Sequence, residues 1–289
     1  MNDLEQMAID RLKAASDMSL MAYQQPLVIC ISGGKDSGVI TELAVRSGIP
    51  CEFQHNHTTA DAPETVRFVR SEMARLEDLG YKCTVNMPMY KGQRTSMWDL
   101  IPRMEFPPTR FTRYCCSVLK ETGAKGRFIA TGVRWAESTA RKNYRGIYEK
   151  LGATKAKKII LANDNDEKRM LFENCRLKAK RVVNPIIDWT DKDVYGFLAD
   201  AKAPMNPLYA EGNCRVGCIG CPMASTKGRE AGFARWPKYK QLYLNAFDRM
   251  LAERKQSGKK STWDSAEDVF RWWMEYDVLP GQTSMEDFQ

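Results

Sequence analysis

The sequence has little of what would mark a membrane, secreted or disulfide-stapled protein. Its 289 residues contain no apolar run near the roughly 20 residues that a membrane-spanning helix needs. The start, Met1-Asn2-Asp3-Leu4-Glu5, is acidic and lacks the basic end and apolar centre of a secretory leader, so a cytoplasmic location is expected. Nine cysteines are too sparse for a disulfide scaffold at this length. In a reducing compartment, clustered cysteines point instead to metal or redox chemistry. Internal repeats and low-complexity tracts are missing, and 43% hydrophobic with 28% charged residues is ordinary globular composition.

What is present is unevenly placed. Of the formal net charge of +8, residues 134–183 hold 14 Lys/Arg against 6 Asp/Glu, and residues 226–260 hold 10 against 3. The end, 261–289, is acidic, with one Arg and seven acids. The two basic stretches suit phosphate-rich ligands or nucleic acid, or form a solvated helical surface. Between residues 226 and 277, Lys227, Arg229, Arg235, Lys238 and Lys240 alternate with Trp236, Tyr239, Tyr243 and Phe247. The three- and four-residue spacing of those aromatics predicts a packed helix face, leaving the lysines at the surface.

Residues 4–22 have helical apolar spacing. Leu27–Ile31 is an uninterrupted apolar run of the kind found in a parallel strand covered on both faces. Further strands are predicted at Cys51–His55, Tyr81–Val85, Arg127–Val133, Ile159–Ala162 and Val182–Ile187, with a helix from Pro63 to Leu79. Strands alternating with helices read as a parallel α/β sheet. The expected division is an N-terminal helix over 1–25, a nucleotide-binding α/β domain over 26–203, a Cys-rich segment over 204–225 and a helical basic and aromatic region over 226–289.

Ser32-Gly33-Gly34-Lys35-Asp36-Ser37 joins the first strand to the next helix. Glycines there admit close backbone approach, the helix start offers free N–H groups to an anion, and two hydroxyls and a lysine add donors. The spacing is neither G-x-x-x-x-G-K-[ST] nor G-x-G-x-x-G. After the second strand comes His55-Asn56-His57-Thr58-Thr59-Ala60-Asp61-Ala62-Pro63-Glu64. His55 suits a strand-closing role and His57 a contact to substrate, a proton-transfer role or a metal, with Asp61 and Glu64 as candidates for magnesium or ribose.

Cys218-Ile219-Gly220-Cys221-Pro222, with Cys214 just before it, fits zinc, a redox dithiol or half of an iron–sulfur site. The neighbours Cys115 and Cys116 narrow this choice. Adjacent side chains diverge and fit poorly on one tetrahedral ion, whereas a cubane cluster offers each its own iron. Cys30, Cys51 and Cys83 lie in apolar strands and read as structural.

In combination these motifs resemble the phosphoadenosine-phosphosulfate reductase family of the adenine nucleotide alpha-hydrolase (PP-loop, N-type ATP pyrophosphatase) superfamily, in its iron–sulfur-binding branch. Thr131-Gly132-Val133-Arg134-Trp135-Ala136-Glu137-Ser138 with Arg141, and Asn184-Pro185-Ile186-Ile187-Asp188-Trp189-Thr190, extend the resemblance over about residues 26–225. It implies a parallel-sheet, Rossmann-like core. It also implies a nucleotide site of Ser32, Gly33, Gly34, Lys35, Asp36, Ser37, His57, Gly132, Arg134, Ser138 and Arg141, with Lys35, Asp36 and Arg134 as the catalytic set. A [4Fe–4S] cluster is implied on Cys115, Cys116, Cys218 and Cys221, with Cys214 as the alternative ligand.

Three activities are open from these residues. One is cleavage of ATP, with Mg²⁺, between its α- and β-phosphates to adenylate a substrate for sulfur transfer, as in nucleic-acid thiolation. The second is reduction of a sulfonucleotide to sulfite. Reductases of the family use a cysteine near the chain end, and here the last is Cys221, which places this reading second. The third is a non-catalytic nucleotide- or nucleic-acid-binding accessory protein. The expected partners are an adenine nucleotide, nucleic acid and a sulfur- or electron-donor protein. Self-association is open and a membrane is not expected.

Overall fold

The computed structural model describes residues 3–124, 126–151, 159–161 and 180–275; Cys175 and residues 276–289 lie outside them. In chain order the main elements are α1 (Asp3–Tyr23), β1 (Leu27–Ile31), α2 (Lys35–Ser47), β2 (Cys51–Asn56), α3 (Pro63–Asp78), β3 (Cys83–Asn86), β4 (Met89–Tyr90), β5 (Gln93–Arg94) and α4 (Met97–Met104). There follow β6 (Phe128–Ala130), α5 (Thr139–Tyr144), β7 (Tyr148–Leu151), β8 (Ile159–Leu161), β9 (Lys180–Val183), α6 (Asp191–Asp200), α7 (Thr226–Arg235), α8 (Pro237–Gln256) and α9 (Ala266–Glu275). The chain divides into two compact units: Met1–Asn56, Pro63–Asn86 and Gly123–Val216 form the first, and His57–Ala62, Met87–Thr122 and Gly217–Gln289 the second.

The first unit is built on a sheet of order β3-β2-β1-β6-β9-β7-β8. Leu27, Ile29 and Ile31 of β1 face a large core that includes Leu12 of α1, Leu43 of α2 and Met73 of α3. Val28 faces the other way, onto Ile129 and Val182. That two-sided burial explains the unbroken apolar run. β1 pairs in parallel with β2 on one edge and β6 on the other. The chain therefore leaves β1 in one direction and returns on its far side, which opens a crevice beyond Ile31, where α/β sheets bind ligands.

The far edge departs from the all-parallel expectation. β7 runs antiparallel to both β9 and β8. Only residues 152–158 separate β7 from β8, too short a link for a parallel crossover of a dozen residues or more. The strand expected through Ile187 ends at Val183, because Asn184 turns its N–H to the Ile147 carbonyl at 2.8 Å and Pro185 has no N–H to give. Ala162, the last residue of another expected strand, lies outside the described residues.

The second unit packs around aromatic rings. Tyr243 and Phe247, one turn apart on α8, are buried with Trp273 of α9, and ring centroids lie 4.5 Å apart for Tyr243–Trp273 and 4.8 Å for Trp98–Tyr243. Edge-to-face and tilted contacts of this kind add to what burial of the rings already contributes. A π-helical turn, Cys116–Lys120, starts at the second of the adjacent cysteines, and Cys115 stands at its N-terminal cap. Among the described residues no helix is long and apolar enough to cross a membrane.

Candidate nucleotide loop and thiol cluster

The six loop residues follow β1 and open α2, so the helix start aims at the crevice. The loop is tied to itself by Ser37, whose hydroxyl donates to the Gly34 carbonyl at 2.8 Å and accepts the Ser32 N–H at 3.2 Å. Gly132, just past β6, lies against the same loop. A Cβ there would sit 2.7 Å from the Asp36 carbonyl carbon and oxygen, so only glycine lets β6 and the loop come this close.

Charge at the loop is matched group by group. Arg134 is 1% exposed; its Nε donates to Asp36 at 2.7 Å, Nη2 to Asp191 at 2.7 Å and Nη1 to the Trp189 carbonyl at 3.1 Å. The Lys35 ammonium lies 3.5 Å from Asp36 and 3.4 Å from Asp191. The hydrogen bond from Arg134, with Lys35 nearby, holds the Asp191 carboxyl below its ordinary range. Arg134 thus spends its fork on carboxylates and acts on the loop through Asp36. Ser138 caps α5 by accepting the Arg141 N–H at 3.2 Å, and the Arg141 guanidinium pairs with Glu137. Burial, then Arg145 and Arg215, push the Arg141 pKa down.

The thiols gather in the second unit. Cys116 first, then burial, push the Cys115 thiol up, with Cys218 and Cys221 adding to the effect. Cys115 in turn draws Cys116 down to about 5 against the opposing effect of burial, helped by Arg113, whose Nη2 is 3.6 Å from the sulfur. Burial pushes Cys218 up to about 12, while its sulfur lies 3.4 Å from the Thr58 hydroxyl and 3.6 Å from Asp61. Gly220, between Cys218 and Cys221, has φ +70°, and a Cβ there would lie 2.7 Å from Phe233 and 2.9 Å from Trp273 and Tyr243. The cysteine turn is therefore seated directly on the aromatic core.

The remaining candidates take the following places. His55 is buried in the sheet, with Nδ1 2.9 Å from the Ile31 carbonyl. His57 belongs to the second unit, and so does Asp61, which lies against Cys218. Cys214 is exposed and belongs to the first unit. Lys120, which no sequence motif flagged, has its pKa raised by Cys218 first, with Asp61, Cys221 and Cys116 adding to it. Asn206 and Tyr209 were also missed. Asn206 is buried and donates to the Gly33 carbonyl at 3.1 Å and to Thr65 at 3.0 Å, and Tyr209 contacts the Lys35 amide. Their one local signal was Pro207, which starts a short helical turn.

Residues 26–224 match the family model described as the phosphoadenosine phosphosulfate reductase domain. The chain belongs to that family. An uncharacterized protein of Methanocaldococcus jannaschii is 26% identical over 259 residues, 86% of this chain and 55% of that protein. The chain spans about half the length of the two archaeal relatives it matches. Adenosine 5'-phosphosulfate reductase of Burkholderia cepacia is 40% identical over 53 residues, 18% of this chain and 21% of that enzyme. The structure of phosphoadenylyl-sulfate reductase from Candida auris, a phosphate complex, aligns with TM-score 0.45 and 15% identity over 73% of this chain and 93% of that one.

Proposed function

We propose that this protein cleaves ATP between the α- and β-phosphates to adenylate a substrate, a nucleic acid, for sulfur transfer. The observation that carries the reading is the pair of carboxylates, Asp36 and Asp191, set among the cations of the phosphate loop. A carboxylate beside a bound phosphate repels it unless a divalent cation stands between them, and oxygen donors of this kind suit Mg²⁺. Asp36 and the more exposed Asp191 would hold that ion, which would neutralise charge on the polyphosphate. Lys35 would turn from its two carboxylates to the phosphates, and the loop amides would stabilise charge as the bond to the leaving group breaks. An acceptor oxygen attacks the α-phosphorus and pyrophosphate leaves with the bonding electrons. A sulfur nucleophile then attacks the activated carbon and AMP leaves.

The four gathered thiols, with Lys120 and Arg113 around them, have the donor chemistry of a [4Fe–4S] site. Cys115, Cys116, Cys218 and Cys221 would hold the cluster; when bound it would supply a site that receives or delivers sulfur. The basic surface of the second unit, including Lys227, Lys238 and Lys240, would draw in the nucleic acid through its phosphates.

The test is anaerobic turnover with ATP, Mg²⁺ and pooled tRNA or DNA, following AMP and pyrophosphate. Equal release of both, dependent on the nucleic acid, supports the proposal. The second reading, a sulfonucleotide reductase, is favoured by the short segment shared with adenosine 5'-phosphosulfate reductase. Sulfite release from that sulfonucleotide with a thiol donor, and no pyrophosphate from ATP, would put it first. Nucleotide binding without either product would leave the accessory role.

A further inference from the structure

Tyr209 reaches the phosphate loop from a part of the first unit that no motif marked. Its hydroxyl oxygen accepts the Lys35 N–H at 2.9 Å, at the first turn of α2. It also lies 3.4 Å from where a Cβ of Gly34 would stand, so it sits directly on the cradle. A phosphate oxygen bound by the loop would occupy this same neighbourhood, because N–H groups at a helix start are the donors of such a site.

The hydroxyl is built in. Tyr209 ends the turn Pro207–Tyr209, and Asn206 caps that turn by accepting the Leu208 N–H at 3.1 Å. The same buried Asn206 amide donates to Gly33 of the loop and to Thr65 of α3. Asn213 adds a hydrogen bond to the Leu208 carbonyl at 2.8 Å. The turn and the loop are thus fastened through one side chain, and the ring is held against the loop.

The hydrogen bonds then leave one donor over. A tyrosine hydroxyl offers one proton and two acceptor positions. Here the oxygen takes the Lys35 amide, and among the described residues the proton has no acceptor. Burial, the first cause, keeps the phenol above its ordinary range, so that proton stays on at neutral pH.

We infer that Tyr209 is a phosphate ligand of this site, its hydroxyl held by the Lys35 amide and donating its proton to a phosphate oxygen of the bound nucleotide. This rests on the reading of the loop as a nucleotide site. It adds to that reading a donor from outside the loop, placed by Asn206.

The experiment is calorimetric titration of the full chain with ATP plus Mg²⁺ and, separately, with adenosine. Tyr209→Phe removes the donor and keeps the ring. Hydrogen bonds to charged groups are worth about 1.5–3 kcal/mol, so ATP binding should weaken roughly tenfold or more while adenosine binding stays at the wild-type value. Tyr209→His, which keeps a ring donor, should recover most of the loss, and it serves equally if the Phe variant melts early. ATP binding by Tyr209→Phe equal to or tighter than wild type overturns the inference, as does an equal loss for ATP and adenosine. A wild-type chain that binds no adenine nucleotide removes the loop reading itself, and the inference with it.

Discussion

The two units surround the same side chain, cysteine, with different charges. In the first unit Cys51 is buried on β2, and burial, then Cys83 and Glu52, push it up to about 12. Cys83 is raised to about 11, again by burial first and then by Glu77 and Glu72. Every neighbour of that pair discourages a thiolate, so both behave as small apolar residues that fill the sheet. In the second unit burial likewise pushes Cys218 up to about 12, against Lys120, and Cys115 is raised, while Cys116 is drawn down to about 5 by Cys115 first, with Arg113 and Lys120 helping. What separates the two sets is less burial than the cations Lys120 and Arg113 beside the second, and a thiolate, which such cations favour, is the form that binds metal.

That contrast can be broken, and the largest effects should come where each unit concentrates its chemistry. Lys35→Ala should lower turnover by about 10²–10³-fold in a pyrophosphate-release assay, with an unchanged circular dichroism spectrum. Activity within a few-fold of wild type would take the loop out of the mechanism. Cys218→Ala should fall from about four irons per chain to below about one after anaerobic purification. If it keeps its iron, Cys218 is a core residue like Cys51. Gly220→Ala should cost about 2–4 kcal/mol in thermal or denaturant unfolding, through positive φ and contact with three rings. A melting curve that overlays wild type would mean that the cysteine turn is not pinned to the aromatic core. The smallest effect belongs to Cys51→Ala, at about 1–2 kcal/mol of stability with full iron content. Any loss of iron there would erase the distinction between the two sets.

Much of the first unit could be read directly from the residues. The run Leu27–Ile31 declared a strand covered on both faces, and Pro63 marked the start of α3. Local pattern did not reveal the antiparallel pairing of β7. Tyr148–Leu151 mixes apolar with charged residues, and its direction is set by the short link to β8 and by its partner β9. The same division holds at the site. Ser32–Ser37 announced itself through glycine and hydroxyl spacing, whereas Asn206 and Tyr209 come close to it only once the chain has passed through β9 and α6. Arg134 was read as part of the nucleotide site, and the fold buries its guanidinium between two carboxylates, Asp36 and Asp191. Nothing in the spacing could show that, because Asp191 stands 57 residues away in sequence.

The quartet of Lys35, Asp36, Arg134 and Asp191 has a further consequence for how a ligand arrives. Two cations and two anions sum to no net charge, and all are held within a few ångströms of one another. Seen from beyond a Debye length, about 8 Å at physiological salt, the quartet presents almost no field to an incoming anion. Recognition there begins only on contact, so the association rate set by this cluster should barely respond to ionic strength. A polyanion carrying its own divalent counter-ion is also the guest such a balanced surface admits at least electrostatic cost.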